Sequence, residues 1–162
     1  MRTRIFTGRL RRVAWLGTLA AVLAVSAVPF IGASSAAAYP GFTVSVTCTA
    51  TNSQSASQFL WDWYQGGAGG TLLAQGSVRC PAITGSGTSS ATGSGIQPAS
   101  ADTLAVQADS VAGNGCGGTA FKFISFTPGW SVSAKVSVTG KMPCSYAVGP
   151  KDTVKVDGSL QS

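Results

Sequence analysis

Apolar and hydroxylated residues alternate along much of the chain, most clearly over 42–51 and 130–139. Phe42, Val44, Val46, Cys48 and Ala50 fall on one parity, with Thr43, Ser45, Thr47, Thr49 and Thr51 on the other. Trp130, Val132, Ala134, Val136 and Val138 repeat the pattern against Ser131, Ser133, Lys135, Ser137 and Thr139. Successive side chains of a strand project to opposite faces, so alternation of this length predicts antiparallel strands with one buried and one wet face.

Shorter runs predict further strands. Phe59–Gln65 is rich in aromatics, and the glycines of 66–70 mark the turn that follows. Leu72, Ala74, Val78 and Cys80 share a side of the next segment, with Gly76 as the expected bulge. Leu104, Val106 and Ala108 face away from Ala105, Gln107 and Asp109. Residues 120–127 carry aromatics on both parities and read as a central strand. Val154, Val156 and Leu160 point inward from a last strand over 153–161. About seven short strands between glycine-rich turns predict an all-β fold, an antiparallel β-sandwich. Residues 84–95, Thr-Gly-Ser-Gly-Thr-Ser-Ser-Ala-Thr-Gly-Ser-Gly, lack charge and almost all apolar surface. Little burial opposes their backbone entropy, so a long mobile loop is expected, with a polar edge strand as the competing reading.

The first 38 residues follow another pattern. Arg2, Arg4, Arg9, Arg11 and Arg12 precede an apolar helical stretch from Val13 to Val25, which Ser26 and Pro29 break, and Ala36-Ala37-Ala38 follows. This is the layout of a secretory signal peptide cleaved before Tyr39, leaving 39–162 as one secreted domain. An uncleaved anchor over Val13–Ile31 is the alternative. The Arg11-Arg12 pair raises twin-arginine export, but Trp15 favours the general pathway. The same arginines hold five of the +6 formal charge, so the rest of the chain is nearly neutral. A nucleic-acid partner is therefore not expected, nor a membrane once the signal is removed.

Cys48, Cys80, Cys116 and Cys144 all follow the signal, and an even count in an exported chain predicts two disulfides. Three connectivities are open. Sequential pairing, Cys48–Cys80 and Cys116–Cys144, closes two local loops and is preferred. The chain has no histidine and no glutamate. No zinc set and no Ser-His-Asp or Cys-His machinery can be built from it, and no cofactor is expected. Its carboxylates, Asp62, Asp102, Asp109, Asp152 and Asp157, are expected at turns and surface positions, and no catalytic activity is expected. The glycines around Cys116 read as a disulfide-pinned turn, without the strand-to-helix setting of a phosphate loop.

Phe59, Trp61 and Trp63 project to one side of their strand, and Leu60, Asp62 and Tyr64 to the other. The indoles form either the centre of the core or a platform for stacking on sugar rings, which makes Trp61, Trp63 and Tyr64 the candidate ligand residues. Asp62 and Tyr64 read as a solvated surface pair. The order Cys48, Trp63-Tyr64-Gln65, Cys116 superficially resembles immunoglobulin domains over these few positions. The likeness implies immunoglobulin-like general architecture and a Cys48–Cys116 bond with Trp63 packed against it. The chain departs from that family where Asn114-Gly115 occupies the place of its corner tyrosine, and in having two further cysteines.

The function expected is recognition at the cell envelope or in the medium, of a surface glycan or an extracellular protein. The alternative is a proteinaceous inhibitor or toxin-like factor presenting a disulfide-braced loop, with Pro81 or Pro143 fixing its backbone. Material recovered from the medium of an expressing host should begin at Tyr39 and show no alkylatable thiol by intact-mass measurement. A retained 1–38 segment would overturn the signal reading.

Overall fold

Eight strands follow from the alternation, in a computed structural model that describes residues 39–113, 116–141 and 152–162. They are β1 (Gly41–Ala50), β2 (Gln58–Gln65), β3 (Thr71–Arg79), β4 (Gly87–Ile96), β5 (Thr103–Val111), β6 (Gly117–Ser125), β7 (Ser133–Lys141) and β8 (Thr153–Gln161). They form two four-stranded antiparallel sheets, ordered β4-β1-β8-β7 and β3-β2-β5-β6. Val44, Val46, Val154, Val156 and Leu160 of the first sheet are buried in one cluster with Phe59, Trp63, Leu104 and Val106 of the second. The inward parities expected for β1, β5 and β8 are those observed.

The layers approach closely where one presents a ring and the other a glycine. Residue 158, in the centre of β8, has Phe59 of β2 so near that a Cβ at 158 would overlap the ring. Within one sheet, Gly76 of β3 leaves the same room for Trp61, its register partner in β2. Gly76 is thus a seat for an indole and not the expected bulge; the register shift of that hairpin lies between Trp63 and Tyr64. A disulfide joins the sheets, from Cys48 on β1 to Cys80 just after β3, with Cα atoms 6.2 Å apart. This is the sequential pairing, and the Cys48–Cys116 bond implied by the immunoglobulin likeness is not formed. Cys116 is itself disulfide-bonded. Cys144 lies outside the described residues, and with it the expected Cys116–Cys144 pair.

Three segments differ from expectation. Residues 87–96 are a strand, β4, rather than a mobile loop. All ten pair with β1, and the outward hydroxyls meet across the ladder, Thr47–Ser90 at 3.1 Å and Thr49–Thr88 at 3.3 Å. Its inward residues are small because neighbours fill the space: a Cβ at Gly95 would lie 2.5 Å from the Phe42 ring and one at Gly93 2.6 Å from Val78. β6 is an edge strand and not a central one, so its aromatic side chains need not be covered. Trp130 does not begin β7. It sits in the preceding turn, 70% exposed, and the buried parity starts at Val132.

Gly158→Ala should cost about 1–3 kcal/mol, the usual range for overpacking a tight core, read as a lower urea midpoint at unchanged slope. A midpoint equal to that of the parent would show that the sheets do not depend on this contact.

Candidate ligand-binding face

The indoles belong to the core. Trp63 is fully buried and Trp61 is 8% exposed. Phe42 packs edge-on against Trp61 with centroids 5.7 Å apart, and its ring lies 5.5 Å from Trp63, which also meets Phe126 at 5.8 Å. Neither indole offers a face for stacking, so the platform expected on Trp61 and Trp63 does not exist on their strand face. Tyr64, the third candidate, lies on the opposite, outer face and donates its hydroxyl to Asp62 Oδ2 at 3.3 Å. Burial, and then the neighbouring Asp62 charge and hydrogen bond, raise the Tyr64 pKa above its ordinary value.

That outer face carries two exposed aromatics side by side. Phe121 and Phe123 of β6 are 68% and 50% exposed and meet edge to face at 5.9 Å. The ladder registers align Gln75, Asp62, Ala105 and Phe123 in one row across the sheet, and Ser77, Leu60, Gln107 and Phe121 in the next. Ala105 is the low point between Asp62 and Phe123, and adjacent strands lie about 4.8 Å apart, so the two side chains stand roughly 10 Å from each other. The result is a depression of about 140 Å³ lined by Leu60, Asp62, Tyr64, Ala105, Gln107, Phe121 and Phe123, among others. Sequence reasoning missed the two phenylalanines because residues 120–127 look like a fully covered strand. The signal in the sequence was Lys122: a charge on the inward parity suits only an edge strand, where it also discourages pairing with another chain.

A larger hollow of about 440 Å³ lies on the outer face of the other sheet, among Ser45, Thr47, Lys135, Ser137, Asp157 and Ser159. Its size reflects short side chains. Its one carboxylate is already engaged, accepting from Ser137 at 2.6 Å and from Lys155 at 3.0 Å. The aromatic face is therefore the better candidate.

The other predicted residues have structural places. Asp102 caps the β2–β3 turn, accepting from the backbone N–H of Gly66 at 2.7 Å and of Gly67 at 3.1 Å, and from the Thr103 hydroxyl at 2.9 Å. Both glycines have φ near +85°, which lets their N–H groups converge on one carboxylate. These donors hold its pKa below the ordinary value, the backbone bonds contributing most. Asp109 accepts from Gln58 and Gln107, and Asp152, expected at the surface, is only 6% exposed. No group of three metal-ligating side chains occurs among the described residues. The segment after Cys80 does not stand free. Ile83 exchanges backbone hydrogen bonds with Gln54, and the Ser89 hydroxyl donates to Pro81 O at 2.8 Å. Pro143 lies outside the described residues. Compared with known proteins, the chain matches no family, no curated protein and no solved structure.

Because its folded pKa is lowered, Asp102 contributes stability that is present above its unfolded pKa and lost as pH falls through the folded one. Urea midpoints followed from about pH 5 down to about pH 2 should fall less steeply in Asp102→Asn than in the parent. Part of the slope should remain, since the hydrogen bond from Ser137 also lowers Asp157, helped by Lys155. Identical slopes would show that the cap does not stabilise the fold.

Proposed function

We propose that the chain is exported, loses residues 1–38, and acts outside the cytoplasm as a non-catalytic recognition module. In this reading 39–162 is one two-sheet sandwich of immunoglobulin-like general architecture, and its binding surface is the outer face of the β3-β2-β5-β6 sheet. The signal-like N-terminus supports export, and a disulfide between the sheets suits an oxidising compartment. Two four-stranded antiparallel sheets sharing one buried cluster support the sandwich.

The observation that carries the binding role is the exposure of Phe121 and Phe123 side by side. Each inward ring of β2 is buried against other side chains, yet these two rings remain in water beside a depression with polar walls. Adjacent exposed aromatics rimmed by polar groups mark interaction surfaces more often than they mark bare surface. The protein should be retained by intact cells, cell-wall polysaccharide or a medium protein in a pull-down. Retention should drop at least about tenfold when Phe121 and Phe123 are both changed to alanine, as expected for the loss of two anchors of roughly 1 kcal/mol each. Unchanged retention of that variant would remove this face from the proposal.

A further inference from the structure

Resting on the reading of this face as a binding surface, we infer that the depression over Ala105 takes a positively charged organic head, the lysine or arginine side chain of a protein partner. The hydrogen bonds of Tyr64 and Gln107 point the same way. Tyr64 spends its hydroxyl proton on Asp62, at 3.3 Å. Gln107 donates one of its two amide N–H groups to Asp109 Oδ1, at 2.9 Å. What these side chains leave for a ligand is mainly acceptors, the Asp62 carboxylate, the tyrosine oxygen and the Gln107 carbonyl, against one remaining Gln107 N–H. The remaining walls are apolar, among them the rings of Phe121 and Phe123, the side chain of Leu60, and Trp61.

Acceptors and aromatic faces together are complementary to a cation, which the ring quadrupole and a carboxylate both attract. No lysine or arginine lines the depression, so no positive charge in it answers an anion. A row of sugar rings is a poor fit as well, because the two phenylalanine planes stand 77° apart and give no common stacking surface. A volume of about 140 Å³ admits one head group and not a chain of residues. The hollow is open to water on its outer side, so a free small amine would keep much of its hydration there. A side chain presented by a protein also covers Phe121 and Leu60 with its aliphatic stem and its neighbours.

The test is a titration of the isotope-labelled protein with tri-lysine, tri-glutamate, tetramethylammonium and chitotriose, followed by amide shifts. Tri-lysine should move the resonances of Asp62, Ala105 and Phe123 saturably and should weaken with added salt. Asp62→Asn should weaken it about three- to tenfold, the range for an exposed charge acting with ring contacts, while Asp157→Asn on the other sheet leaves it unchanged. Equal or stronger shifts with tri-glutamate or chitotriose, or an unaltered affinity in Asp62→Asn, would overturn the cation assignment. Tetramethylammonium binding as tightly as tri-lysine would overturn the protein side chain as its source. If the cation fails while retention in the pull-down still depends on Phe121 and Phe123, only this inference falls. If no probe shifts the face and retention ignores both phenylalanines, the binding role falls with it.

Discussion

Phe59 rests against the backbone of β8 at a position with no side chain, and the spacing of the two sheets follows from that contact. A Cβ at 158 would overlap the ring, so Gly158 is the residue that lets the layers close here. Sheets packed face to face ordinarily lie near 10 Å apart and need side chains from both to fill the gap. This domain supplies its bulk mainly from β2 and from Phe42, and small residues face those rings. The Cys48–Cys80 bond then ties β1 to the end of β3 across the same interior. Large side chains on one strand and missing ones on another make a single filling scheme.

That scheme decides which aromatics are available for function. Since Phe59, Trp61, Trp63 and Phe42 are consumed by the core, the strand rings left accessible are those on the opposite parity or on an edge. β6 is such an edge, and its outward phenylalanines lie over the outer sides of β5 and β2. The Ala105 hollow is a direct product of register: a small residue on the middle strand flanked by a carboxylate on one side and a ring on the other. Its mainly acceptor character is likewise set by pairing, because Asp62 takes up the Tyr64 hydroxyl proton and Asp109 one of the two Gln107 amide N–H groups.

Composition bears on the same face. The chain has no histidine and no glutamate, and Asp102, Asp109 and Asp62 are engaged by a turn, by glutamines and by the Tyr64 hydroxyl. For the binding role proposed above, a rigid sheet surface with fixed acceptors and rings carries little ordering cost.

Much of the architecture was legible in the amino acids alone. The parities of β1, β5 and β8, the turn at 66–70 and the Cys48–Cys80 pair follow from alternation and loop closure, which act locally. Sequence also determined that Phe59, Trp61 and Trp63 share a side, though not whether that side faced protein or solvent. Burial is a property of what packs opposite, and only the tertiary structure decided it. The same holds for 87–96, whose residues have no apolar drive of their own and become a strand because β1 offers ten partners and the rings beside them need small neighbours. It holds for Phe121 and Phe123, exposed because β6 is an edge. Position in a sheet depends on the order in which distant strands pair, which no period within a single segment encodes.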